Sequence, residues 1–381
     1  MKKIGHETLF LSTTEKNPRN GESTFVRLKD GRICLAFTEY YGGDWSDHAT
    51  ARISACYSSD EGESWTTPKI LIEKAETDQN IMAPNLFRLP NGDLGMVYLR
   101  KKYENNGTEI TCMPMFCSSA DEGKTWSERV LCTDEMGYYC IINDGCMVDS
   151  RGRIWVPMSY HGNCIEGIGF KFGKFKNAAV QFAVSDDCGL TWKKLPVTIE
   201  APFSDDAGLA EPGIFEFEDG TLWMYCRTNY GFQYQSFSSD RGESWSKIEP
   251  SFKFTSPDAP MRVKKVGGLA VSVYNPRSFC AADTGREVWG SPKRTPLVCA
   301  VSRDGGKSFM WGEKLAHDGG FDDFVDNCYL LETDESESYC YAAVTEAEGG
   351  FLVAYYHSGG TKVCLNCTKV VKVKFAELEQ Q

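Results

Sequence analysis

No stretch of the 381-residue chain approaches the eighteen or so unbroken apolar residues that a membrane-spanning helix needs. Positive charge is short: 41 Lys and Arg against 53 Asp and Glu leave a net charge of −12. That balance disfavours nucleic acid or an anionic lipid surface as the main partner. Only five histidines occur, and His48, His161 and His357 do not form a metal-ligand spacing. The N-terminus, Met1-Lys2-Lys3-Ile4-Gly5-His6-Glu7, starts as a secretory leader would. However, His6, Glu7, Thr13, Thr14, Glu15 and Lys16 stand where its apolar core should run, so a cytoplasmic location is expected. The sixteen cysteines are not read as disulfides, because a chain of this length builds a core without staples. Most lie in apolar runs such as Ile33-Cys34-Leu35, where Cys behaves as a small hydrophobe. Cys364-Leu365-Asn366-Cys367 is a lone CxxC with no second pair at metal spacing, and no metal or cofactor is implied.

Aromatic residues, by contrast, make up 13% of the chain, with nine Trp, and Gly (36) far outnumbers Pro (15). That mixture predicts many turns and much β-structure. One motif recurs five times at intervals of 53 to 66 residues. Its copies are Ser58-Ser-Asp60-Glu-Gly62-Glu-Ser-Trp65, Ser119-Ala-Asp121-Glu-Gly123-Lys-Thr-Trp126 and Ser185-Asp-Asp187-Cys-Gly189-Leu-Thr-Trp192. It returns as Ser238-Ser-Asp240-Arg-Gly242-Glu-Ser-Trp245 and, weakened, as Ser302-Arg-Asp304-Gly-Gly306-Lys-Ser-Phe309. Each copy follows an apolar run and reads as the turn of a β-hairpin. Asp accepts from turn amides, Gly takes the positive φ, and the aromatic covers the loop.

A second repeat, a Gly turn between alternating apolar residues, occurs six times, at Gly31, Gly92, Gly152, Gly220, Gly267 and Gly350. Two hairpins in roughly sixty residues make four strands, the size of a propeller blade with generous loops. The fold class predicted is therefore all-β: a six-bladed β-propeller with four antiparallel strands per blade, residues 1–381 forming a single domain.

Ligands of a propeller usually sit at one mouth of the channel lined by the innermost strands. Nine residues before each turn glycine stand Glu22, Ala83, Asn143, Glu211, Asp258 and Tyr341, five of them polar or ionisable. Carboxylates converging on an axis raise one another's pKa, as sites of acid–base chemistry do.

The five-fold motif is an Asp-box, and the chain resembles the sialidase (neuraminidase) superfamily. The fourth unit carries the more specific resemblance: Glu211 opens a strand, Arg227 ends the next, and Ser238–Trp245 follows. The resemblance implies a glycoside hydrolase acting on a carbohydrate partner, with the Asp-boxes structural and peripheral. It makes Glu211 the base that polarises a tyrosine nucleophile, and Arg227 a ligand of the substrate carboxylate. Lys293-Arg294-Thr-Pro resembles the segment carrying a later carboxylate-binding arginine, with Arg277 a competing candidate. Ser338-Tyr-Cys-Tyr341 resembles the nucleophile strand; Tyr341 is the match, and Tyr339 lies two residues earlier. Asp44 and Asp47 both precede the first box, and Asp47 stands at the distance of the family's general acid/base. In one place the chain departs from the pattern. Where the family has its first carboxylate-binding arginine, Gly21 or Glu22 stands instead, and Arg19 lies two or three residues early. A glutamate there repels an acidic sugar unless Arg19 loops back to compensate.

Asp47, Glu211 and Tyr341 are thus the catalytic candidates. Arg19, Glu22, Asn143, Arg227, Asp258 and Arg294 are the substrate-binding candidates. The alternatives are a glycosidase working through a carboxylate pair drawn from Glu22, Glu211 and Asp47, or a non-catalytic glycan-binding propeller using Trp45, Tyr40, Tyr41, Tyr230 and Phe232. His48, His161 and His357 read as polar residues of loops or strands, with contact to sugar hydroxyls the alternative for His48 and His161.

Overall fold

Each Gly turn joins the two inner strands of a four-stranded antiparallel sheet. In the first blade, Arg19–Arg27 pairs with Ile33–Tyr40, then Ala51–Ser58, then Lys69–Ile72. The arrangement recurs around six sheets of a computed structural model, the second with added short strands and the third with its inner strand split in two, with almost no helix among the described residues. The structure describes residues 1–162, 165–168, 171–172, 177–203, 207–277, 294–310, 327–359 and 365–378. Innermost strands meet their neighbours around the axis. Arg19–Arg27 packs beside Asn80–Arg88 on one side and Tyr339–Ala347 on the other. The N-terminal strand His6–Leu11 pairs antiparallel with Cys367–Lys374 and becomes the outer strand of the sixth blade. First and last residues of the ring thereby share one sheet.

Alternation of side chains explains the apolar strands. Both faces of Ile33–Tyr40 and Gly350–His357 are buried because each blade is sandwiched between two others. The described cysteines are free and mostly buried within these strands; Cys364 lies outside the described residues.

The Asp-boxes hold their own turns and cement neighbouring blades. In the third, Asp187 Oδ1 accepts from Thr191 N at 2.9 Å, and Ser185 Oγ accepts from Gly189 N at 2.9 Å. A Cβ on Gly189 would lie 2.1 Å from Phe116 of the second blade, and one on Gly242 would lie 2.5 Å from Trp155 of the third. The box glycine is where one blade's turn seats on the previous blade. The box tryptophans extend that contact: Trp192 packs on Phe116 at 5.2 Å, and Trp245 stacks on Phe182 at 4.6 Å.

Candidate active site

Near the start of every innermost strand one residue adopts the left-handed conformation. These residues are Glu22 (φ 53°), Ala83 (53°), Asp144 (55°), Glu211 (47°), Asp258 (58°) and Tyr341 (56°). A non-glycine residue pays for this geometry and keeps it only where its surroundings enforce it. In four blades the residue sits in a bulge, where register with the second strand slips: Gly21/Thr24, Met82/Asn85, Ala210/Gly213 and Cys340/Ala343. Bulges re-aim side chains. Counting nine residues back from the turn glycine finds this position in five blades. In the third it goes one residue too far back. Asp144, not Asn143, is the equivalent, because the inner strand there is broken into Tyr139–Cys140 and Met147–Val148.

Three of these residues, Glu211, Asp258 and Tyr341, converge with two arginines. Tyr341 Oη donates to Glu211 Oε1 at 2.5 Å. Arg227 Nη1 donates to Glu211 Oε2 at 2.8 Å and to Tyr341 Oη at 3.1 Å, while its Nε donates to Asp258 Oδ1 at 2.7 Å. Arg294 donates from Nη2 to the Asp258 carbonyl at 2.8 Å, and its guanidinium stands 5.7 Å from the Tyr341 ring centre. Burial and the neighbouring Glu211 push the Tyr341 phenol well above its ordinary value, outweighing Arg227 and Arg294. The phenol therefore keeps its proton and donates it toward Glu211. Burial alone would lower Arg227, but Asp258 and Glu211 lift it well above the ordinary arginine value. It is a fixed cation.

A second cluster adjoins the first. Arg19 Nη1 meets Asp47 Oδ1 at 2.5 Å, its Nε donates to Tyr356 Oη at 2.9 Å, and its Nη2 lies 3.8 Å from Glu22 Oε1. Its guanidinium covers the Tyr40 ring at 4.6 Å. Tyr356 in turn packs edge-on against Tyr341 at 5.7 Å, joining the two clusters. Burial raises Glu22 despite Arg19, and Thr38 Oγ1 donates to it at 3.0 Å. Desolvation would raise Asp47 too, but Arg19 and Lys101 outweigh it and hold that carboxyl well below the usual range. The Asp47 side chain is 61% exposed at the mouth, and Lys101 Nζ donates to its backbone carbonyl at 2.8 Å.

Gly21 explains why the first arginine is missing from its expected place. A Cβ there would lie 1.7 Å from the Tyr356 ring, so no side chain fits, and Arg19 enters from two residues earlier.

The remaining candidates lie as follows. Asn143 Nδ2 donates to the carbonyls of Ser23 and Tyr341, at 2.7 and 3.1 Å, rather than standing open to a ligand. Arg277 pairs with Glu335 at 3.0 Å, so among the two later arginines it is Arg294 that joins the cluster. Tyr339 is buried against Tyr355 and His357. Asp44 caps its own loop through Ser46 N at 3.0 Å. Burial lowers His48 to about 3 and His161 to about 4, so both imidazoles are neutral near pH 7. Tyr40 is buried beneath Arg19, Tyr41 bonds Glu73 at 3.2 Å, and Tyr230 stacks on Phe203 at 3.9 Å. Phe232 meets Phe252 edge-on, while Trp45 is 43% exposed beside Asp47. Lys101 and Tyr356 were not legible as site residues. Both stand in second strands, outside any motif, and Lys101 lies within the basic run Arg100-Lys101-Lys102, which gives no sign that its middle residue is buried.

A family model described as a BNR repeat-like domain matches residues 31–354. The chain belongs to that family. Its fold is that of the sialidase superfamily, as the solved structures similar to it also show. The NanB sialidase of Streptococcus pneumoniae superposes with TM-score 0.68 at 13% identity, covering 99% of this chain and 71% of that one. An intramolecular trans-sialidase from Ruminococcus gnavus gives 0.65 at 15%, covering 98% of each chain. A protein of unknown function from Dyadobacter fermentans gives 0.68 at 15%, covering 97% of this chain and 99% of that one. No curated protein matches the chain in sequence.

Proposed function

We propose that the protein is a retaining exo-glycosidase with a tyrosine nucleophile, acting on a terminal sugar that bears a carboxylate. The observation that carries this reading is the 2.5 Å bond from Tyr341 Oη to Glu211, with Arg227 on the same phenol oxygen. A nucleophile held in hydrogen-bond reach of a base, itself oriented by a third group, is the arrangement covalent catalysis needs. Glu211 takes the phenol proton as Oη attacks the anomeric carbon, and Asp47 protonates the departing glycosidic oxygen. Asp47 then removes a proton from water, which attacks the same carbon. Tyr341 leaves and recovers its proton from Glu211, and the anomeric configuration is retained. The acid step needs a proton on Asp47, so the incoming sugar must draw Arg19 away from it.

A neutral nucleophile suits an acidic sugar, since a carboxylate nucleophile would repel it. Arg227 and Arg294 supply the charge-assisted donors for that acid group. The sialidase names of two similar structures support the same substrate class. A panel of aryl glycosides, acidic and neutral, with the product anomer followed by NMR, tests the reading. Release of the retained anomer from an acidic glycoside supports it, and turnover of neutral glycosides alone overturns the substrate.

One observation favours a second reading, a carboxylate pair acting on another sugar. Glu22 is raised while Asp47 is lowered, and groups pushed apart in this way often divide acid and base roles. Under that reading Glu22→Gln is severe and Tyr341→Phe mild.

A further inference from the structure

We infer that Asn143 and Asp144 are positioning residues: together they clamp the left-handed bulge that presents the Tyr341 hydroxyl, an inference that rests on Tyr341 being the nucleophile. A tyrosine at φ 56° would relax toward an ordinary strand conformation if released. Two bonds from the third blade prevent this. Asn143 Nδ2 donates to the Tyr341 carbonyl at 3.1 Å, and Val344 N donates to Asp144 Oδ2 at 3.2 Å, three residues further along the same strand. The first contact falls within the register slip between Cys340 and Ala343, and the second lies one residue beyond it.

The clamp is itself anchored from several blades. Asn143 Nδ2 also holds the Ser23 carbonyl of the first blade at 2.7 Å. Asp144, whose side chain is only 2% exposed, accepts from Thr24 Oγ1 of the first blade at 3.0 Å and from Lys264 Nζ of the fifth at 2.6 Å. Arg262 Nε, also of the fifth blade, stands 3.3 Å from its other oxygen. From the second blade, Asn85 Nδ2 donates to the Ile142 carbonyl at 3.0 Å, and Cys146 N donates back to Asn85 Oδ1 at 2.8 Å. Residues 141–146 form no strand in their own blade. The Asn143 amide nitrogen, the Asp144 carboxylate, the Ile142 carbonyl and the Cys146 amide bond instead to the first, second, fifth and sixth blades. Such bonding fits a hub that fixes the nucleophile relative to Glu211 of the fourth blade.

The test is Asn143→Asp, which keeps size but turns a donor facing two carbonyls into an acceptor, with Asp144→Asn as the second variant should the first fail to fold. The crystal structure should show Tyr341 relaxed from its positive φ and its Oη out of hydrogen-bond range of Glu211. On a turned-over aryl glycoside, kcat per folded enzyme should fall tenfold or more with KM within threefold, a split that lost folding alone does not produce. Tyr341 unmoved, with kcat per folded enzyme as in the wild type, overturns the clamp. Tyr341→Phe, measured alongside, separates the two ideas. If that variant turns over normally the nucleophile reading fails, while the crystallographic position of Tyr341 still decides the clamp.

Discussion

Tyr341 and Glu211 stand 130 residues apart in sequence, in the sixth and fourth blades, and share a 2.5 Å hydrogen bond. Each reaches it from a left-handed position on its innermost strand. Because the two act as a unit, Tyr341→Phe and Glu211→Ala should each lower kcat by several orders of magnitude. The double variant should be little worse than either single one. Steady-state kinetics of the three variants on one substrate measure this; losses that simply multiply would show two independent roles. Melting of Tyr341→Phe should stay close to wild type, since only a hydroxyl is removed.

The packing of Gly21 on Tyr356 leads to a second expectation. Gly21→Ala places a methyl group within the Tyr356 ring and must displace a side chain that holds Arg19 and touches Tyr341. Both melting temperature and kcat/KM should fall. Tyr356→Phe removes only the acceptor for Arg19, so it should cost activity with little loss of stability. If Gly21→Ala leaves both quantities unchanged, Tyr356 does not organise the site.

The Asp-boxes should behave as structure. Asp187→Ala orphans the Thr191 amide and frees Ser185 and Thr191, at a cost of about 1 kcal/mol. Chemical denaturation should register that loss while activity at a permissive temperature is retained. Lost activity with unchanged stability would move the boxes into the functional machinery.

Much of this was legible in the residues themselves. The Gly turns and the Asp-boxes are local signals at fixed spacing, so blade number and strand order followed from them. Equal offsets before two turn glycines put Tyr341 and Glu211 at equivalent strand positions, and the resemblance to the sialidase superfamily implied their pairing. The offset failed at Asn143 because the third blade's inner strand is broken by bonds to other blades, which no local pattern encodes. Arg19 could be seen to be displaced, but the cause, the Tyr356 ring filling the place beside Gly21, depends on residues 335 positions apart in sequence. Such a contact exists only once the ring has closed.

A pH dependence of stability follows from His161. Burial holds its imidazole at about 4, with Arg227 adding to the effect, against an ordinary value of 6.5. Above pH 6.5 both folded and unfolded chains carry it neutral, and nothing is lost. As the pH falls from about 6.5 to about 4 the unfolded chain takes up the proton first, so stability declines across that window. His161→Gln should show a shallower fall of melting temperature over the same range. Parallel curves for the two proteins would mean the imidazole titrates normally.

The proposed reaction passes through a covalent glycosyl–tyrosine. The most direct measurement is mass spectrometry of the protein after incubation with a fluorinated, activated analogue of the acidic sugar, which slows breakdown of the intermediate. The mass should rise by one glycosyl unit, mapped by peptide digestion to Tyr341 and absent from Tyr341→Phe. An adduct on Glu22, Asp47 or Glu211, or turnover of the analogue with no adduct at any time, would contradict the proposed reaction.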